Sequence, residues 1–285
     1  MRHIVIILTI VTALFSKNIF ENSEQKDTSQ YIEAIKNLVI ATQKTRGLTN
    51  SFLNGNSVAL LLVFENRDQM KKAIGKMEAT VLASNVVINS RATLITQSLI
   101  KLNSKATRQN DAPKVFQEYT EGIEQLLLLA QTVNKQASKE FTPMAKGAST
   151  IMMETILPMT EFVGRFRGMG SGLVASKQCN KKQKAIMLSL GKEIEKSNDT
   201  LQKQMKAFEK QHPKVVTLQM KQILQKIDND SRVYIEFTQS KVLNNSGENL
   251  DANAYFDQGT AIISLLIIIY ESLNGALLED SKGWF

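Results

Sequence analysis

The sequence predicts an all-α protein made of two tandem four-helix bundles. The chain has 285 residues, and only 4 Pro and 14 Gly interrupt long stretches rich in Lys, Gln, Glu, Leu, Ile and Ala, a composition that favours helices. No segment alternates apolar and polar residues convincingly at the period of a β-strand. A stripe of residues spaced three and four apart also occurs twice, with a shift of 121 residues. That repeat predicts two units of similar design.

The first 22 residues are predicted to be a signal peptide or an N-terminal membrane anchor. Arg2 and His3 precede residues 4–15, a largely apolar run without charge. This length matches the apolar region of a signal peptide and is short for a membrane span. The cleavage site is ambiguous, so both alternatives stay open. Either one predicts that the rest of the chain is exported to the periplasm.

The first bundle is predicted over residues 23–142. Its helices are expected at 29–53, at 58–109 in two segments and at 114–139. The turn at 54–57 carries helix stop and N-cap residues, and the polar stretch 66–72 is the candidate break inside the second region. The Thr142-Pro143 dipeptide then marks the boundary between the halves.

The second bundle is predicted over residues 143–285. Its helices are expected at 144–177, 183–211, 214–243 and 252–279. Pro158 should kink the first of them, and Asp251 is a good N-cap for the last. The apolar run 261–270 is too short to cross a bilayer, which predicts a buried core helix.

Both copies of the stripe place an arginine, followed by a glycine, at a core position. The two stripes are Ile32, Ile35, Val39, Thr42, Arg46, Thr49 and Leu53, and Met153, Ile156, Thr160, Val163, Arg167, Gly170 and Val174. A guanidinium stays protonated, and a buried charge without a counter-ion costs several kcal/mol. Arg46 and Arg167 therefore each need an anion, which is either a carboxylate of a facing helix or a bound ligand.

Further candidate binding residues surround the two arginines. Thr42, Thr49 and Asn50 share the helix face of Arg46, and a hydroxyl beside a guanidinium favours anion binding. Arg165 lies two residues from Arg167 and could reach the same pocket. Four glycines accompany Arg167, at 164, 168, 170 and 172, each unfavourable in a helix by about 1 kcal/mol relative to alanine. They indicate that a neighbouring helix or a ligand comes close to the backbone.

The remaining features argue against an enzyme, a metal protein and a nucleic-acid binder. No nucleophile stands near a helix-face histidine, no phosphate-binding loop occurs, and the two histidines, His3 and His212, do not make a metal site. Cys179 is the single cysteine, so no intramolecular disulfide forms. The net charge of +8 is spread along helix surfaces, where it would help a small anion approach. No cofactor is expected.

Three segments, 43–49, 162–168 and 255–260, resemble the nitrate- and nitrite-sensing (NIT) domain family, which carries Gln-x-Glu-Arg-Gly in its first helix and Gly-Arg-x-Arg in its second half. The resemblance covers about residues 29–280. It implies a helical double four-helix bundle that binds nitrate or nitrite through arginines and signals to an output domain. Thr45 replaces the family's Glu. The chain ends at Phe285 without an output module, so we expect a membrane-bound partner such as a sensor kinase or chemoreceptor.

We therefore predict an exported nitrate- or nitrite-sensing protein. The predicted ligand-binding residues are Arg46, Arg167, Arg165, Thr42, Thr49 and Asn50. A planar guanidinium pairs with a planar oxyanion through two parallel hydrogen bonds. The alternative is an exported helical interaction or structural protein whose arginines form internal salt bridges and bind no small ligand. The choice between nitrate and nitrite, between one shared site and two, and between monomer and homodimer stays open.

Overall fold

Helices make up 87% of the protein, and the residues that the structure describes contain no β-strand, which confirms the all-α prediction. The structure, a computed structural model, describes the backbone of residues 2–244 and 249–282 and the side chains of residues 24–244 and 249–282. The helices of the first half are α1 (Arg2–Leu53), α2 (Ala59–Glu78), α3 (Val86–Lys105) and α4 (Ala112–Ala137). Those of the second half are α5 (Pro143–Ile151), α6 (Leu157–Ser176), α7 (Lys181–Gln211), α8 (Leu218–Phe237) and α9 (Ala252–Asp280).

Helices α1 and α6 form the centre of the molecule. Helix α1 packs on α2, α4 and α6, and α6 packs on α1, α7 and α9. One hydrophobic core runs through both halves and includes Leu38, Leu126, Phe166 and Leu266. This arrangement is compatible with two tandem four-helix bundles that meet along α1 and α6. The division between residues 142 and 143 stays a prediction, although Thr142 does cap α5 by accepting a hydrogen bond from the Ala145 amide.

The break between the second and third helices lies at residues 79–85, so the predicted break at 66–72 is wrong. Asn66 lies inside α2, is 1% exposed, and donates to the Ala41 carbonyl and the Thr45 hydroxyl of α1. Its polar side chain forms hydrogen bonds with the neighbouring helix α1 and does not interrupt α2. The third helix begins at Val86 and is capped by Asn85, whose side chain accepts hydrogen bonds from the amides of Val87 and Ile88.

A π-helical turn, Met152–Ile156, joins α5 to α6 directly before Pro158. Proline lacks an amide hydrogen and crowds the preceding turn, and a wider turn accommodates both effects. The predicted kink at Pro158 itself stays a prediction. A second π-helical turn, Thr238–Leu243, extends α8.

Helix α9 is long and apolar enough to cross a membrane by length and composition, with a mean hydropathy of 1.9 over its most apolar 18 residues. Its inner face nevertheless packs into the protein core through Ile263, Leu266, Ile269 and Leu273, as predicted for a buried core helix. Asp251 caps its first turn by accepting from the Asn253 amide. Residues 2–22 of the predicted signal segment belong to α1, but their side chains are not among those described, and residue 1 lies outside the described residues.

Candidate anion-binding site

Helices α1 and α6 touch through their backbones where each carries its arginine. A Cβ atom built on Gly168 would lie 3.0 Å from the Cα of Gly47, and one built on Gly164 would lie 3.3 Å from Nη2 of Arg46. A Cβ at Gly170 would collide with Tyr255 of α9. The glycines around Arg167 therefore admit neighbouring helices and their side chains, which was one of the two explanations for them.

Arg46 is completely buried and paired with a carboxylate. Its Nη1 lies 2.6 Å from Oε1 of Glu161 and its Nη2 lies 3.1 Å from Oε2, so α6 supplies a bidentate partner. Nη1 also donates to the Thr120 hydroxyl at 2.9 Å. The guanidinium carbon lies 4.8 Å from the centre of the Phe116 ring. For this arginine, a facing carboxylate is the counter-ion.

Arg167 is also buried, at 2% exposure, but no described carboxylate lies within 4.0 Å of its guanidinium. Nη1 donates to the Thr260 hydroxyl at 2.9 Å, and the guanidinium lies 4.2 Å above the Phe256 ring. Nε is buried without a hydrogen-bond partner among the described residues. Burial is the main reason that the pKa of Arg167 is lowered to about 10; the Arg46 cation adds to this effect, and Tyr234 opposes it. The side chain is therefore still charged at neutral pH.

The two arginine environments are copies of each other. Each guanidinium packs on a phenylalanine ring and donates a hydrogen bond to the threonine four residues after that phenylalanine. The partners of Arg46 are Phe116 and Thr120 on α4, and those of Arg167 are Phe256 and Thr260 on α9. The correspondence between the two halves thus extends to these partners, although none of the four was predicted as a binding residue. The shared Phe-x-x-x-Thr spacing, in the last helix of each half, is the signal that could have found them.

One side chain breaks this correspondence. Glu161 lies six residues before Arg167 and pairs with Arg46. The position six residues before Arg46 holds Ile40, which cannot act as a counter-ion. Glu161 itself lay next to Thr160 of the stripe and was not recognised in the sequence. The Glu161 carboxylate is therefore the counter-ion of Arg46 but not of Arg167.

The other predicted site residues lie in two different environments: three are buried on α1, and Arg165 of α6 is partly exposed. The Thr42 hydroxyl donates to the Leu38 carbonyl within α1, and the buried Thr49 hydroxyl has no hydrogen-bond partner among the described residues. Asn50 donates to the Gly168 carbonyl at 2.8 Å. Arg165 is 29% exposed and lies 3.8 Å from Glu124. The structure thus places Arg165 nearer the surface than Arg46 and Arg167.

A cavity of about 430 Å³ lies between α1, α4, α6 and α7. Asn50, Arg165 and Lys182 supply polar groups to its wall, and Phe116, which packs on Arg46, supplies part of its apolar surface. The cavity brings Arg165 and Asn50 together. Arg167 does not line it. No cluster of metal-ligating side chains occurs in the part of the chain that the structure describes.

The fold is similar to that of a solved protein described as the NasR transcription antiterminator. The likeness has a TM-score of 0.64 at 15% identity and covers 97% of this chain and 74% of that one. None of the curated protein sequences matches this chain. The family model described as "Nitrate and nitrite sensing" matches residues 37–278. That range includes both arginine copies and nearly all of the helical fold, and the chain therefore belongs to the nitrate- and nitrite-sensing family.

Proposed function

We propose that this chain senses nitrate or nitrite by binding the ion at Arg167. The observation that carries the proposal is the burial of this guanidinium without a carboxylate within ion-pair distance among the described residues. A buried cation that stays charged requires a counter-ion, and its energetic cost is several kcal/mol without one. A bound anion provides that counter-ion, whereas Arg46 already has Glu161.

The charges near the α1–α6 crossing support an anion with a single charge. Arg46 and Arg167 contribute two positive charges and Glu161 one negative charge, so the buried group carries a net charge of +1. Nitrate and nitrite each carry one negative charge and would neutralise it. Sulfate carries two and would leave an excess negative charge in a site of low dielectric constant, which is unfavourable.

The surroundings of Arg167 favour a planar oxyanion over a spherical ion. The Phe256 ring covers one face of the guanidinium and Thr260 accepts from Nη1, while Nε has no hydrogen-bond partner among the described residues. An anion that approaches in the guanidinium plane, along the edge that carries Nε, would accept two parallel hydrogen bonds. Chloride accepts hydrogen bonds without this planar match. Contacts of the ion with Arg46, Arg165, Thr42, Thr49 and Asn50 stay predictions.

Calorimetric titration with nitrate, nitrite, chloride and sulfate tests the proposal. Nitrate or nitrite should bind, and chloride and sulfate should bind much more weakly. Arg167→Lys keeps the charge but loses the planar pair of donors, so affinity should fall at least tenfold, as expected from the loss of a hydrogen bond to a charged group worth about 1.5–3 kcal/mol. Arg165→Lys is the matched comparison on the same helix and should have a smaller effect. If Arg165→Lys reduced the affinity more than Arg167→Lys, the site would be misplaced.

The Arg46–Glu161 pair supports the competing function, that of a helical interaction protein with internal salt bridges and no small ligand. Melting of the purified protein decides between the two functions. A ligand at one hundred times its dissociation constant adds about 2.7 kcal/mol to stability. A melting temperature that does not respond to nitrate or nitrite would favour the interaction protein.

We also propose that the protein is exported and signals to a membrane-bound partner. Support for export comes from the uncharged run 4–15 behind Arg2, in a helix that continues to Leu53 and carries Arg46. At the end of the bundle nearest this run, the Gln25 side chain of α1 donates a hydrogen bond to the Leu277 carbonyl of α9 at 2.8 Å. Cell fractionation tests export, and recovery of the full-length chain in the cytosol would contradict it. A photo-crosslinker at Asp280 should capture the partner more efficiently than one at Gly55, which lies just beyond the opposite end of α1.

A further inference from the structure

Glu161 is held by Arg46 in the geometry that a bound oxyanion would adopt. Its two carboxylate oxygens accept from Nη1 and Nη2 of the same guanidinium at 2.6 and 3.1 Å. Oε2 also accepts from the Gln43 side chain at 3.1 Å. A carboxylate and a nitrite ion both share one negative charge between two oxygens that flank a central atom. The Arg46 copy is thus filled by a chemical relative of the proposed ligand.

The surroundings of that carboxylate match those of the Arg167 copy. Thr120 and Phe116 contact Arg46 as Thr260 and Phe256 contact Arg167, with the same 2.9 Å hydrogen bond in each. The site at Arg46 thus has the parts of an anion site, and a side chain of the protein fills it. Ile40, at the corresponding position of the sequence repeat, gives the Arg167 copy no such carboxylate.

We infer that Glu161 is an internal anion that occupies the Arg46 half of a duplicated anion site and limits the chain to one bound ion. The inference rests on the proposed binding at Arg167 and goes further, because it assigns a second, latent oxyanion site to Arg46, Thr120 and Gln43. Removal of the Glu161 carboxylate exposes that site to the same class of ligand, a small planar monovalent oxyanion. Glu161 then sets the number of ions bound.

The first experiment measures the number of nitrate ions bound per chain by calorimetric titration of Glu161→Ala. This substitution removes the charge and also frees the space of the side chain beside Arg46. The wild-type chain should bind one ion and Glu161→Ala two. Because stability rises with the logarithm of ligand concentration in proportion to the number of sites, the stabilisation of Glu161→Ala per tenfold increase in nitrate should be twice that of the wild type.

A matched control comes from the same helical segment. Glu154 is exposed, so Glu154→Ala removes the same side chain and charge without opening the site and should bind one ion. A result of one ion for both Glu161→Ala and Glu154→Ala would overturn the inference. If Glu161→Ala does not fold without nitrate, saturating nitrate should restore its helical circular dichroism, because the ion replaces the carboxylate. Failure of nitrate to restore it would also overturn the inference.

A double variant separates this inference from the proposed function. Arg167→Gln alone should bind no nitrate, and Glu161→Ala combined with Arg167→Gln should bind one ion, now at Arg46. If Arg167→Gln retains wild-type binding, the site proposed at Arg167 is wrong, while a gain of one ion in Glu161→Ala still supports the latent site. If Arg167→Gln loses binding and the double variant does not regain it, the latent site is wrong and the Arg167 site stands.

Discussion

Gly168 of α6 packs directly on the backbone of Gly47 of α1: a Cβ atom at Gly168 would lie 3.0 Å from the Gly47 Cα. The two glycines immediately follow Arg167 and Arg46 in the sequence. The two central helices therefore approach each other closely beside both arginines, and this contact holds the two copies of the anion environment against each other.

Gly168→Ala should lower the free energy of unfolding by roughly 1–3 kcal/mol, because the added methyl group would press on the Gly47 backbone and the Phe116 ring. Its cost should exceed the gain of up to about 1 kcal/mol in helix propensity. Gly75→Ala is the control, since nothing lies within 4 Å of its added Cβ, and it should be neutral or stabilising. Urea unfolding followed by circular dichroism measures both, and equal stability of the two variants would contradict the close-contact argument.

Arg46→Met should destabilise the fold by about 3–5 kcal/mol, because it leaves the buried Glu161 carboxylate without its cation. Replacing both members, Arg46→Met with Glu161→Met, should recover much of this loss, since no uncompensated charge then remains. The measurement is urea unfolding without nitrate. A single variant as stable as the wild type would show that the ion pair does not persist in solution.

Arg167→Met should leave the ligand-free fold at least as stable as the wild type, in contrast to Arg46→Met. The physical reason is that Arg167 has no carboxylate within 4.0 Å among the described residues, so the substitution removes a buried charge without isolating another. Unfolding in nitrate-free buffer gives the comparison. A loss as large as that of Arg46→Met would mean that Arg167 has an internal counter-ion.

Thr260→Val should weaken nitrate binding, because the Thr260 hydroxyl accepts from Nη1 of Arg167 and fixes its orientation. The expected loss is about 1–3 kcal/mol of binding free energy. Thr120→Val removes the equivalent hydrogen bond from Arg46 and should act mainly on stability. Titration and unfolding of both variants test the distinction, which fails if Thr120→Val has the larger effect on affinity.

Nitrate affinity should be constant between about pH 6 and about pH 8.5 and should fall as the pH passes about 10. Burial lowers the pKa of Arg167 to about 10, so the guanidinium keeps its proton below that value and loses its attraction for an anion above it. Titrations at constant ionic strength follow the affinity. A marked change between about pH 6 and about pH 7 would implicate a different titrating group.

Much of the architecture could be predicted from local sequence patterns. The three-four spacing identified the stripes, and the shift of 121 residues identified Arg46 and Arg167 as equivalent. Cap residues such as Asp251 act where expected because capping depends on a few neighbouring residues. The break at 66–72 was wrong because Asn66 bonds to α1, a contact between residues far apart in sequence.

The sequence by itself determined the helical fold class, the repeat and the presence of two core guanidiniums that need anions. Only the tertiary structure decided which anion each one has. Glu161 is 115 residues from its partner Arg46, and Thr260 is 93 residues from Arg167, so no local pattern joins them. Helical periodicity tells which face of a helix is buried, whereas the partner across an interface depends on how helices distant in sequence pack together.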